Sequence, residues 1–590
     1  MGKKSGDYHS PTSLFTFINN DSLCYLLEKR LKNEYLKKEK KEKTILDYLF
    51  EDGINYENMI INKIYDMSRE NCEENKIIKI EKGLLSSEEY YIKTKEIIKS
   101  EKYDVIHGGI LYNENNNTFG HPDLIVSNYW LKKYITSISY TDEETNNNDK
   151  KIYYIIDIKG TTINLIKGGK KICESKDLEA YKIQIYIYSQ ALNKIQNNKQ
   201  RIINGFILGK KYIYHNNGEK TIILNPFETL GFIDYDIIRK TYDKKIFESI
   251  KLKKSINKNF SRYSLNPIRK EYLLPNMRNK FDKNMKGIKK DIAKYNKEIT
   301  SLYGCGIKQR EMAKKHGITN YGDKRLTPEI LGISPNHKKY NIIRKILNNS
   351  NILLDIPKEN NYKNWREKVD YEFYVDFETF NNEEYITDEK DRLKYINKQI
   401  LYMIGVGFKG KQSNLEKEWN YKHFILEEEI NRKSQENLID NFIEFINSFN
   451  KEELEQEKFY EKVRLYHWSS AEKVIYNKKI NEYNLIKEKY DLPWFDLLDV
   501  FRNYENPIII KDCNSYSLKS IINKLNEYKF LDLKWNELND GYLSAILAKN
   551  LYLGYEEYTN KIKLLKEIIT YNEIDCKAIY EVLKLIRIKN

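Results

Sequence analysis

The chain of 590 residues lacks the cysteine pairs that hold local metal clusters or disulfide frameworks together. Its six cysteines are scattered, and no two stand in a C-x-x-C pair. Zinc ribbons and iron–sulfur clusters built from local pairs are therefore not expected, and neither is a secreted disulfide-rich domain.

Long apolar runs are lacking as well. No stretch is long enough to cross a bilayer, and the N-terminal MGKKSGDYHSPTS has no apolar core of the kind found in secretory signals. We therefore expect a soluble intracellular protein, cytoplasmic or nuclear, that is neither secreted nor bound in a membrane. Its length predicts roughly three or four domains. With 101 Lys and Arg against 86 Asp and Glu, the formal charge of +15 favours a polyanionic partner.

The stretch YEFYVDFETF at residues 371–380 places two acids on what its alternating pattern predicts to be a buried strand. Asp376 and Glu378 are two residues apart, so their side chains point to the same face. Neighbouring buried carboxylates repel each other unless a cation lies between them, and a divalent metal is the simplest such cation. The alternative is an edge strand with two solvated acids.

The N-terminal part alternates between helical and extended patterns. Residues 12–100 are predicted to be helical, and Glu57 lies on a helix whose apolar residues face a core. A plain surface position is the simpler interpretation of Glu57 by itself. Residues 104–130 predict a hairpin with Asn and Gly at its turn, which runs into the sequence GHPD ending at Asp123.

The run IYYIIDIKGTT at residues 152–162 begins with continuous apolar residues, as expected of a central strand covered on both faces. Asp157 and Lys159 lie two residues apart on this strand and therefore on one face. A charged pair at the end of a buried strand is costly unless it has a partner or a chemical task. The following helix places Gln184 and Tyr188 four residues apart, again on one face.

Four short patterns follow one another along the chain: Gly53-x-x-x-Glu57, Gly120-x-Pro122-Asp123, Asp157-x-Lys159 and Gln184-x-x-x-Tyr188. In order and spacing they resemble the RecB-like branch of the PD-(D/E)XK nucleases, whose core is a restriction-endonuclease-like α/β fold. The resemblance covers about residues 10–245. Asp157 stands where many members have Glu, which is an accepted variant. The cysteines that bind an iron–sulfur cluster in some members are absent, so we expect no such cluster.

This resemblance implies a metal-dependent hydrolase of phosphodiester bonds. The implied ligands of Mg²⁺ or Mn²⁺ are Asp123, Asp157 and, from the first helix, Glu57. The metal would polarise the scissile phosphate and activate water. Lys159 would orient that water or neutralise charge on the phosphate. Gln184 would position Lys159 or the phosphate, and Tyr188 would support Gln184.

Residues 246–370 predict a basic, mainly helical connector. Within it, residues 251–300 hold 15 Lys or Arg and four Asp or Glu, a net charge of +11. A solvated linker and a track for a phosphate backbone both fit this charge, and the track would lose affinity steeply as salt rises. The candidate phosphate contacts are Lys253, Lys254, Arg262, Arg269, Lys270, Lys289 and Lys290.

Two glycine-containing stretches are suggestive of phosphate binding. Near residues 299–332, Gly304 and Gly306 open a helical stretch that faintly resembles a helix–hairpin–helix module, although a small helical packing unit fits as well. GVGFKGK, which begins at Gly405, nearly matches a phosphate-binding loop. Gln412 stands where Ser or Thr would ligate Mg²⁺, and the stretch leads into more strand, so we expect a hairpin turn and no ATP binding.

The last part, residues 371–590, ends in a strongly helical stretch that carries Tyr571 and Asp575 four residues apart. A surface pair is one interpretation. Together with the opening strand, the order resembles the DEDD exonuclease branch of the RNase H-like fold, because Asp376 and Glu378 match its first motif. Tyr571-x-x-x-Asp575 matches its third motif in the form that carries Tyr, called DEDDy.

The middle motif of that family ends in Asp. In this chain YHWSSAE puts Glu472 at the corresponding position, and Asp496 and Asp499 are fallback candidates. The resemblance implies two metal ions about 4 Å apart, bridged by Asp376. The rest of the shell would be Glu378, Glu472 and Asp575. Tyr571 would hydrogen-bond the attacking water, since its unperturbed pKa is near 10.

We therefore expect an α/β multidomain protein with a PD-(D/E)XK domain at residues 1–245, a connector at 246–370 and an RNase H-like exonuclease domain at 371–590. The resemblances imply a Mg²⁺- or Mn²⁺-dependent nuclease with two centres, acting on single- or double-stranded DNA, with RNA as a further candidate substrate. Repair, replication or end processing would be its setting, and a helicase or a replication or repair protein its candidate partner. The alternative is a nucleic-acid-binding scaffold that retains nuclease folds with one centre or neither active. The oligomeric state does not follow from the sequence.

Overall fold

The computed structural model of the protein divides into two compact units, Met1–Asn296 and Lys297–Asn590. The boundary falls within the predicted connector. The structure describes residues 8–35, 45–135, 151–166, 168–173, 178–197, 203–216, 218–279, 281–282, 285–349, 351–382, 398–409, 419–426, 430–450, 455–485, 491–535, 541–552 and 558–589. The expectations about residues 1–7 and Gln412 lie outside these ranges.

The first unit combines helices with a large sheet. Its described α-helices are α1 (Pro11–Ile18), α2 (Ser22–Tyr35), α3 (Ile45–Glu70), α4 (Ser87–Lys99), α5 (Asn128–Tyr134), α6 (Glu179–Ile195), α7 (Tyr235–Asn259) and α8 (Lys286–Tyr295). Its described strands are β1 (Ile77–Ile80), β2 (Val105–Gly108), β3 (Leu111–Asn113), β4 (Thr118–Gly120), β5 (Leu124–Ser127), β6 (Tyr153–Ile166), β7 (Lys171–Ile172), β8 (Phe206–Asn216), β9 (Glu219–Ile223) and β10 (Gly231–Phe232).

Eight of these strands form one mixed sheet in the order β1-β2-β5-β6-β7-β10-β8-β9, and β6 also pairs directly with β8. β6 therefore lies inside the sheet, antiparallel to β5 and parallel to β8. This confirms the predicted central strand. The predicted hairpin is confirmed as β3 and β4, which pair antiparallel in a separate two-stranded sheet.

β6 is covered on both faces because its side chains alternate between two hydrophobic clusters. Ile155 belongs to a cluster built with α1, α4 and α6, whereas Ile156 and Ile158 belong to a cluster built with α3. Asp157 and Lys159 share the face of Ile155. The charged pair therefore points to the side of the sheet on which α6 lies.

β1 corrects the expectation that residues 12–100 are helical throughout. The isoleucine-rich run Ile77–Ile80 pairs in parallel with β2, so tertiary pairing decides its conformation. The helices predicted around Glu57 and around Gln184 and Tyr188 are confirmed as α3 and α6.

The first part of the predicted connector folds against the N-terminal helices. Ile256 and Leu273 share a hydrophobic cluster with Phe17 of α1 and Leu26 of α2. α8 contributes Ile292 to a second cluster with α2. This segment is therefore part of a compact unit and is not a solvated linker.

The second unit also combines helices with a sheet. Its described α-helices are α9 (Ile307–Lys315), α10 (Tyr340–Asn348), α11 (Arg432–Asn447), α12 (Gln456–Glu461), α13 (Ala471–Glu482), α14 (Leu497–Phe501), α15 (Leu518–Glu527), α16 (Gly541–Tyr552) and α17 (Tyr558–Lys589). Its described strands are β11 (Leu354–Asp355), β12 (Tyr371–Asn382), β13 (Lys398–Phe408), β14 (Asn420–Ile425), β15 (Val463–His467), β16 (Trp494–Asp496) and β17 (Ile509–Ile510).

β12 is the third strand of a five-stranded mixed sheet, in the order β14-β13-β12-β15-β16. This position confirms the predicted buried strand and excludes an edge strand. Phe373, Val375 and Phe377 pack into the cluster that contains α11, whereas Tyr374 packs into the cluster that contains the last turns of α17. Alternation then places Asp376 on the α17 side, together with Glu378 two residues further on.

The remaining elements of the second unit largely follow the sequence patterns. β13 and β14 pair antiparallel, as the hairpin predicted between them requires. α17 confirms the predicted C-terminal helix, and its Tyr571 and Asp575 are only 5% and 8% exposed, which excludes a surface pair. The stretch 299–332 contains one α-helix, α9, around a small hydrophobic cluster. A helix–hairpin–helix module needs two helices, so this stretch is a small packing unit.

Both units are mixed α/β structures, which confirms the expected fold class at that level. Within the ranges that the structure describes, no helix is both long and apolar enough to span a membrane.

Candidate active sites

The first candidate centre, on β6, joins a fully buried Asp157 to Lys159. The Lys159 Nζ lies 2.5 Å from Asp157 Oδ2 and 3.9 Å from Asp123 Oδ2. Asp123 immediately precedes β5, and its Oδ2 accepts the N–H of Ile158 at 2.7 Å. The antiparallel pairing of β5 and β6 thus brings the two predicted aspartates around one ammonium group.

Two side chains of α6 complete this centre. The Gln184 amide donates to Asp157 Oδ1 at 3.1 Å, so in this structure it holds an aspartate and not the lysine. Tyr188 is buried and hydrogen-bonds Gln184, which fits its predicted supporting role. A Cβ on Gly120 would lie 1.9 Å from Tyr188 Cε1. Only glycine allows the tyrosine ring to pack there, which is a physical reason for Gly120 in the pattern that ends at Asp123.

Glu57 approaches the centre from α3 without completing a set of ligands. Its side chain is half-buried, and burial raises the pKa of its carboxyl group against the opposing effect of Lys159. Among the described residues, Glu57 does not join Asp123 and Asp157 in a group of three with ligand atoms within 4.8 Å. Its role as a third ligand stays a prediction.

The charges of the first centre are partly balanced from within. Burial and the neighbouring Asp157 raise the pKa of Asp123 well above its usual range, although Lys159 opposes this. Burial disfavours the charge on Lys159, but Asp157 and Asp123 outweigh burial and raise the pKa of the lysine. Two carboxylates thus share one ammonium group.

The second candidate centre joins β12 to α17. One ligand atom from each of Asp376, Glu378 and Asp575 lies within 4.8 Å of the others. Asp376 is half-buried, whereas Glu378 and Asp575 are buried. This carboxylate trio consists of three of the four acids predicted to hold metal.

Neutral donors hold the trio in place. Asn572 Nδ2 donates to Asp376 Oδ2 at 2.7 Å, and Trp535 Nε1 donates to Asp575 Oδ1 at 2.8 Å. The Ser544 hydroxyl donates to Glu378 Oε2 at 3.3 Å. None of these three donors was predicted. Asn572 follows Tyr571 directly, which was a usable signal, whereas no pattern marks Ser544 or Trp535.

Asn572 also explains a glycine that the sequence presents as part of a near phosphate loop. A Cβ on Gly405 would lie 1.6 Å from Asn572 Oδ1, and Tyr421 donates its hydroxyl to the same oxygen at 2.9 Å. Gly405 lies on β13 and lets α17 approach the sheet closely enough for Asn572 to reach Asp376. Its function in this fold is close packing.

Tyr571 interacts with a lysine that sequence reasoning missed. Lys519 Nζ, from the second position of α15, donates to the Tyr571 hydroxyl at 2.9 Å and lies 4.5 Å from the centre of its ring. The same Nζ lies 5.4 Å from the ring centre of Trp535. Lys519 lies on a helix capped by Ser517 but belongs to no recognisable motif, so only the fold brings it to the centre.

The trio concentrates negative charge. Burial and the neighbouring Asp575 raise the pKa of Asp376 and of Glu378, while Lys519 acts in the opposite direction. Burial raises the pKa of Asp575, which Lys519 and the hydrogen bonds from Tyr571 and Trp535 oppose. Burial and Asp575 also raise the pKa of Tyr571, so its hydroxyl stays protonated and is a donor.

Glu472 lies near the trio but is directed elsewhere. Its Oε2 is 3.3 Å from His467 Nδ1. Burial and, less strongly, Asp496 raise the pKa of Glu472, whereas His467 lowers it. Asp496 accepts the N–H groups of Ser469 and Leu498 at 2.9 and 3.0 Å and caps α14. Asp499 accepts from Tyr362 and is 44% exposed. Neither fallback residue belongs to the trio, and Glu472 as the fourth ligand stays a prediction.

The basic residues predicted as phosphate contacts differ in exposure. Five are exposed in the first unit: Lys254, Arg262, Arg269, Lys270 and Lys290. Lys253 is half-buried, and burial together with Lys29 lowers its pKa. Lys254 lines an open pocket of about 800 Å³ with Lys251 and Phe247, and this pocket contains neither carboxylate centre.

Lys289 does not fit the predicted phosphate contact. It is fully buried, and its Nζ lies 2.9 Å from Asp21 Oδ2 and 2.6 Å from Asp282 Oδ2. A phosphate cannot reach this ammonium group in the folded unit. The prediction is corrected to a structural role, because two buried carboxylates, one of them distant in sequence, bind the charge internally.

Comparisons with known proteins found no matching family model, and no significant similarity to a curated protein or to a solved structure. The interpretation of both centres therefore depends on their own residues.

Carboxylate oxygens that could hold a hard cation are present in both centres, and three of them come together in the second. Their candidate ligands are carboxylate oxygens, the type that Mg²⁺ and Mn²⁺ prefer. In the second centre, three acids stand within 4.8 Å and the described donors around them are mostly neutral. A divalent cation would relieve the repulsion that raises their pKa values.

Proposed function

We propose that this protein is a metal-dependent nuclease with two centres. The first unit would be a RecB-like PD-(D/E)XK nuclease, and the second an RNase H-like 3′–5′ exonuclease of the DEDDy type. The observation that carries the proposal is the carboxylate trio of Asp376, Glu378 and Asp575 on a central strand and the C-terminal helix. Divalent metal at such sites neutralises the scissile phosphate and activates the attacking water.

The residues of the second centre have distinct tasks in this proposal. Asn572, Ser544 and Trp535 fix the orientation of the three carboxylates, so little reorganisation is needed when metal and substrate bind. The protonated Tyr571 donates to Asp575 in this structure, and it would donate to an incoming water or to the phosphate once metal held Asp575. Lys519 orients that hydroxyl and places a positive charge beside it.

The first centre supports the proposal with a different arrangement. Asp123 and Asp157 offer oxygen ligands, and Lys159 lies between them with its charge retained. Asp123 and Asp157 would hold the metal, and Lys159 would then be free to face the phosphate. Gln184 keeps Asp157 in position from α6.

Nucleic acid is the substrate class that fits both centres. The first unit exposes five of the predicted basic residues on and after α7, and the chain carries a formal charge of +15. Phosphate contacts of this kind give affinity that falls with salt. DNA in repair, replication or end processing is the proposed setting, with RNA as an additional candidate.

The deciding experiment uses end-labelled single- and double-stranded DNA and RNA with Mg²⁺ or Mn²⁺. Wild type, Asp157→Ala and Asp376→Ala should each be assayed, and each variant should lose a separable part of the cleavage. Asp532→Ala is the matched control, since its carboxylate is 88% exposed in the second unit. If the wild type degrades none of these substrates, the proposal fails. Salt-dependent binding that both variants retain would then identify a nucleic-acid-binding scaffold.

A further inference from the structure

Lys159 of the first centre faces an aromatic ring in addition to its two carboxylates. Its Nζ lies 5.4 Å from the ring centroid of Tyr181. Tyr181 lies on α6 three residues before Gln184 and seven before Tyr188, which puts all three on one helix face. The face that holds Asp157 therefore also presents a ring to the candidate lysine.

Tyr181 continues into an aromatic cluster with Phe15 and Phe281. The ring centroids are 5.6 Å apart for Phe15 and Tyr181, 5.1 Å for Phe15 and Phe281, and 6.2 Å for Tyr181 and Phe281. All three residues keep part of their surface accessible, and Phe281 is 38% exposed. These three residues form a surface beside a cation, here called the aromatic wall.

A buried polar network ties the chain on both sides of Phe281. The Phe281 N–H is donated to Asn279 Oδ1 at 3.1 Å, and Asn279 Nδ2 donates to Asp21 Oδ2 at 2.8 Å. Lys289 binds Asp21 and also Asp282, which follows Phe281 directly. A fully buried ion pair is costly unless it fixes a particular arrangement. Here it holds Asn279 and Asp282, which lie two residues before and one residue after Phe281.

We propose that the aromatic wall stacks on the nucleobase next to the phosphate that Lys159 faces. Aromatic rings beside a phosphate-binding cation are the usual means of holding unpaired bases, because every base offers a π-face. A paired base inside a duplex cannot offer that face. The inference depends on the proposed nuclease function and narrows its substrate to a strand with an unpaired base beside the cleaved bond.

The test uses the first centre alone, in an Asp376→Ala background with Mn²⁺ and a labelled single-stranded oligodeoxynucleotide. Phe281→Leu should raise KM by about tenfold or more, the range found when an aromatic that stacks on one base is lost, with little change in kcat. Phe281→Trp should keep KM near the wild-type value. That second variant separates lost stacking from a loop that fails to fold.

Phe260→Leu is the matched control. Phe260 is 39% exposed in the same unit and lies 5.7 Å from Lys29 Nζ. It is therefore an equally exposed ring next to a lysine, but outside the aromatic wall. Its KM should equal that of the background protein.

A strand in which one base at a time is replaced by an abasic site gives a readout that a structural role would not change. Cleavage next to the abasic position should weaken in the background protein, and Phe281→Leu should no longer distinguish base from abasic site. Equal KM values and equal abasic profiles for Phe281→Leu and Phe260→Leu would overturn the inference and leave the nuclease proposal intact. No cleavage at all by the Asp376→Ala protein would remove the proposed activity of the first unit, and the inference with it.

Discussion

The two carboxylate centres differ in how the protein balances their charge. In the first unit, Lys159 lies within ion-pair distance of both Asp123 and Asp157. In the second unit, three carboxylates are held by neutral groups, and the nearby Lys519 donates to Tyr571. The first centre carries an internal cation, whereas the second leaves its acids to share protons or to bind an external cation.

The two centres are predicted to perform similar chemistry, but their charged groups affect the stability of the metal-free units in opposite ways. In the metal-free fold, loss of either partner of an internal ion pair is costly, since the other partner is left as a buried unpaired charge. Crowded carboxylates destabilise the metal-free fold and favour a divalent ion. Removing a charged group should therefore change the unfolding free energy of the two units in opposite directions.

The largest effect is expected when the second centre loses a candidate ligand. Asp575→Asn should reduce the proposed metal-dependent 3′–5′ cleavage by more than about 100-fold, because changes in groups that only support ligands already cost about 10- to 100-fold. Trp535→Phe, which removes only the donor to Asp575, should fall in that smaller range. End-labelled DNA in an Asp157→Ala background measures both. Equal activity of Asp575→Asn and wild type would contradict the assignment of the trio.

The internal cation of the first centre can be tested by stability in EDTA. Lys159→Met leaves Asp157 buried without its cation and should lower the unfolding free energy of the first unit by about 3 kcal/mol. Lys519→Met removes one hydrogen bond to Tyr571 and should cost the second unit only about 1 kcal/mol. Urea denaturation followed by hydrogen exchange of β6 and β12 amides reports each unit separately. Equal losses for the two variants would remove the contrast between the centres.

Neutralising one acid in each centre should give effects of opposite sign. In EDTA, Glu378→Gln should stabilise the second unit by about 1 kcal/mol, because it relieves repulsion within the trio. Asp157→Asn should destabilise the first unit by a similar amount, because Lys159 loses its nearest counter-charge. The same denaturation experiment measures both variants. Changes of the same sign in the unfolding free energy would show that the two centres balance their charges in the same way.

The last difference concerns pH. Burial and the neighbouring Asp575 raise the pKa of Glu378 from 4.5 to about 8, so the metal-free folded unit binds its proton more tightly than the unfolded chain does. Stability of the second unit in EDTA should therefore fall as pH rises between these two values. Glu378→Gln should make this decline shallower by up to about 1.4 kcal/mol per pH unit, the value for one proton. An unchanged slope would show that Glu378 does not titrate in this range.

Much of the fold that supports the two centres was predictable, because it depends on local periodicity. The apolar run before Asp157 is a central strand, and the alternation around Asp376 is another. Gln184 and Tyr188 lie on one helix as their spacing requires. The run Ile77–Ile80 was missed as a strand, because its partner β2 lies 28 residues further on.

The residues that form the sites could be predicted only where they belong to a sequence motif. Asp376, Glu378 and Asp575 meet as predicted, whereas Glu472 turns to His467. The supporting groups follow no motif. Trp535 reaches Asp575 across 40 residues, and Ser544 reaches Glu378 across 166.

The sequence by itself determined which strands and helices carry the acids, since side-chain alternation and helical spacing are properties of neighbouring residues. Only the tertiary structure decided which charges stay exposed. Lys289 and Lys290 are adjacent in a basic run, yet Lys290 is exposed and Lys289 is fully buried against Asp21, 268 residues away. Burial of a charge depends on partners that distant segments supply, and local sequence does not contain that information.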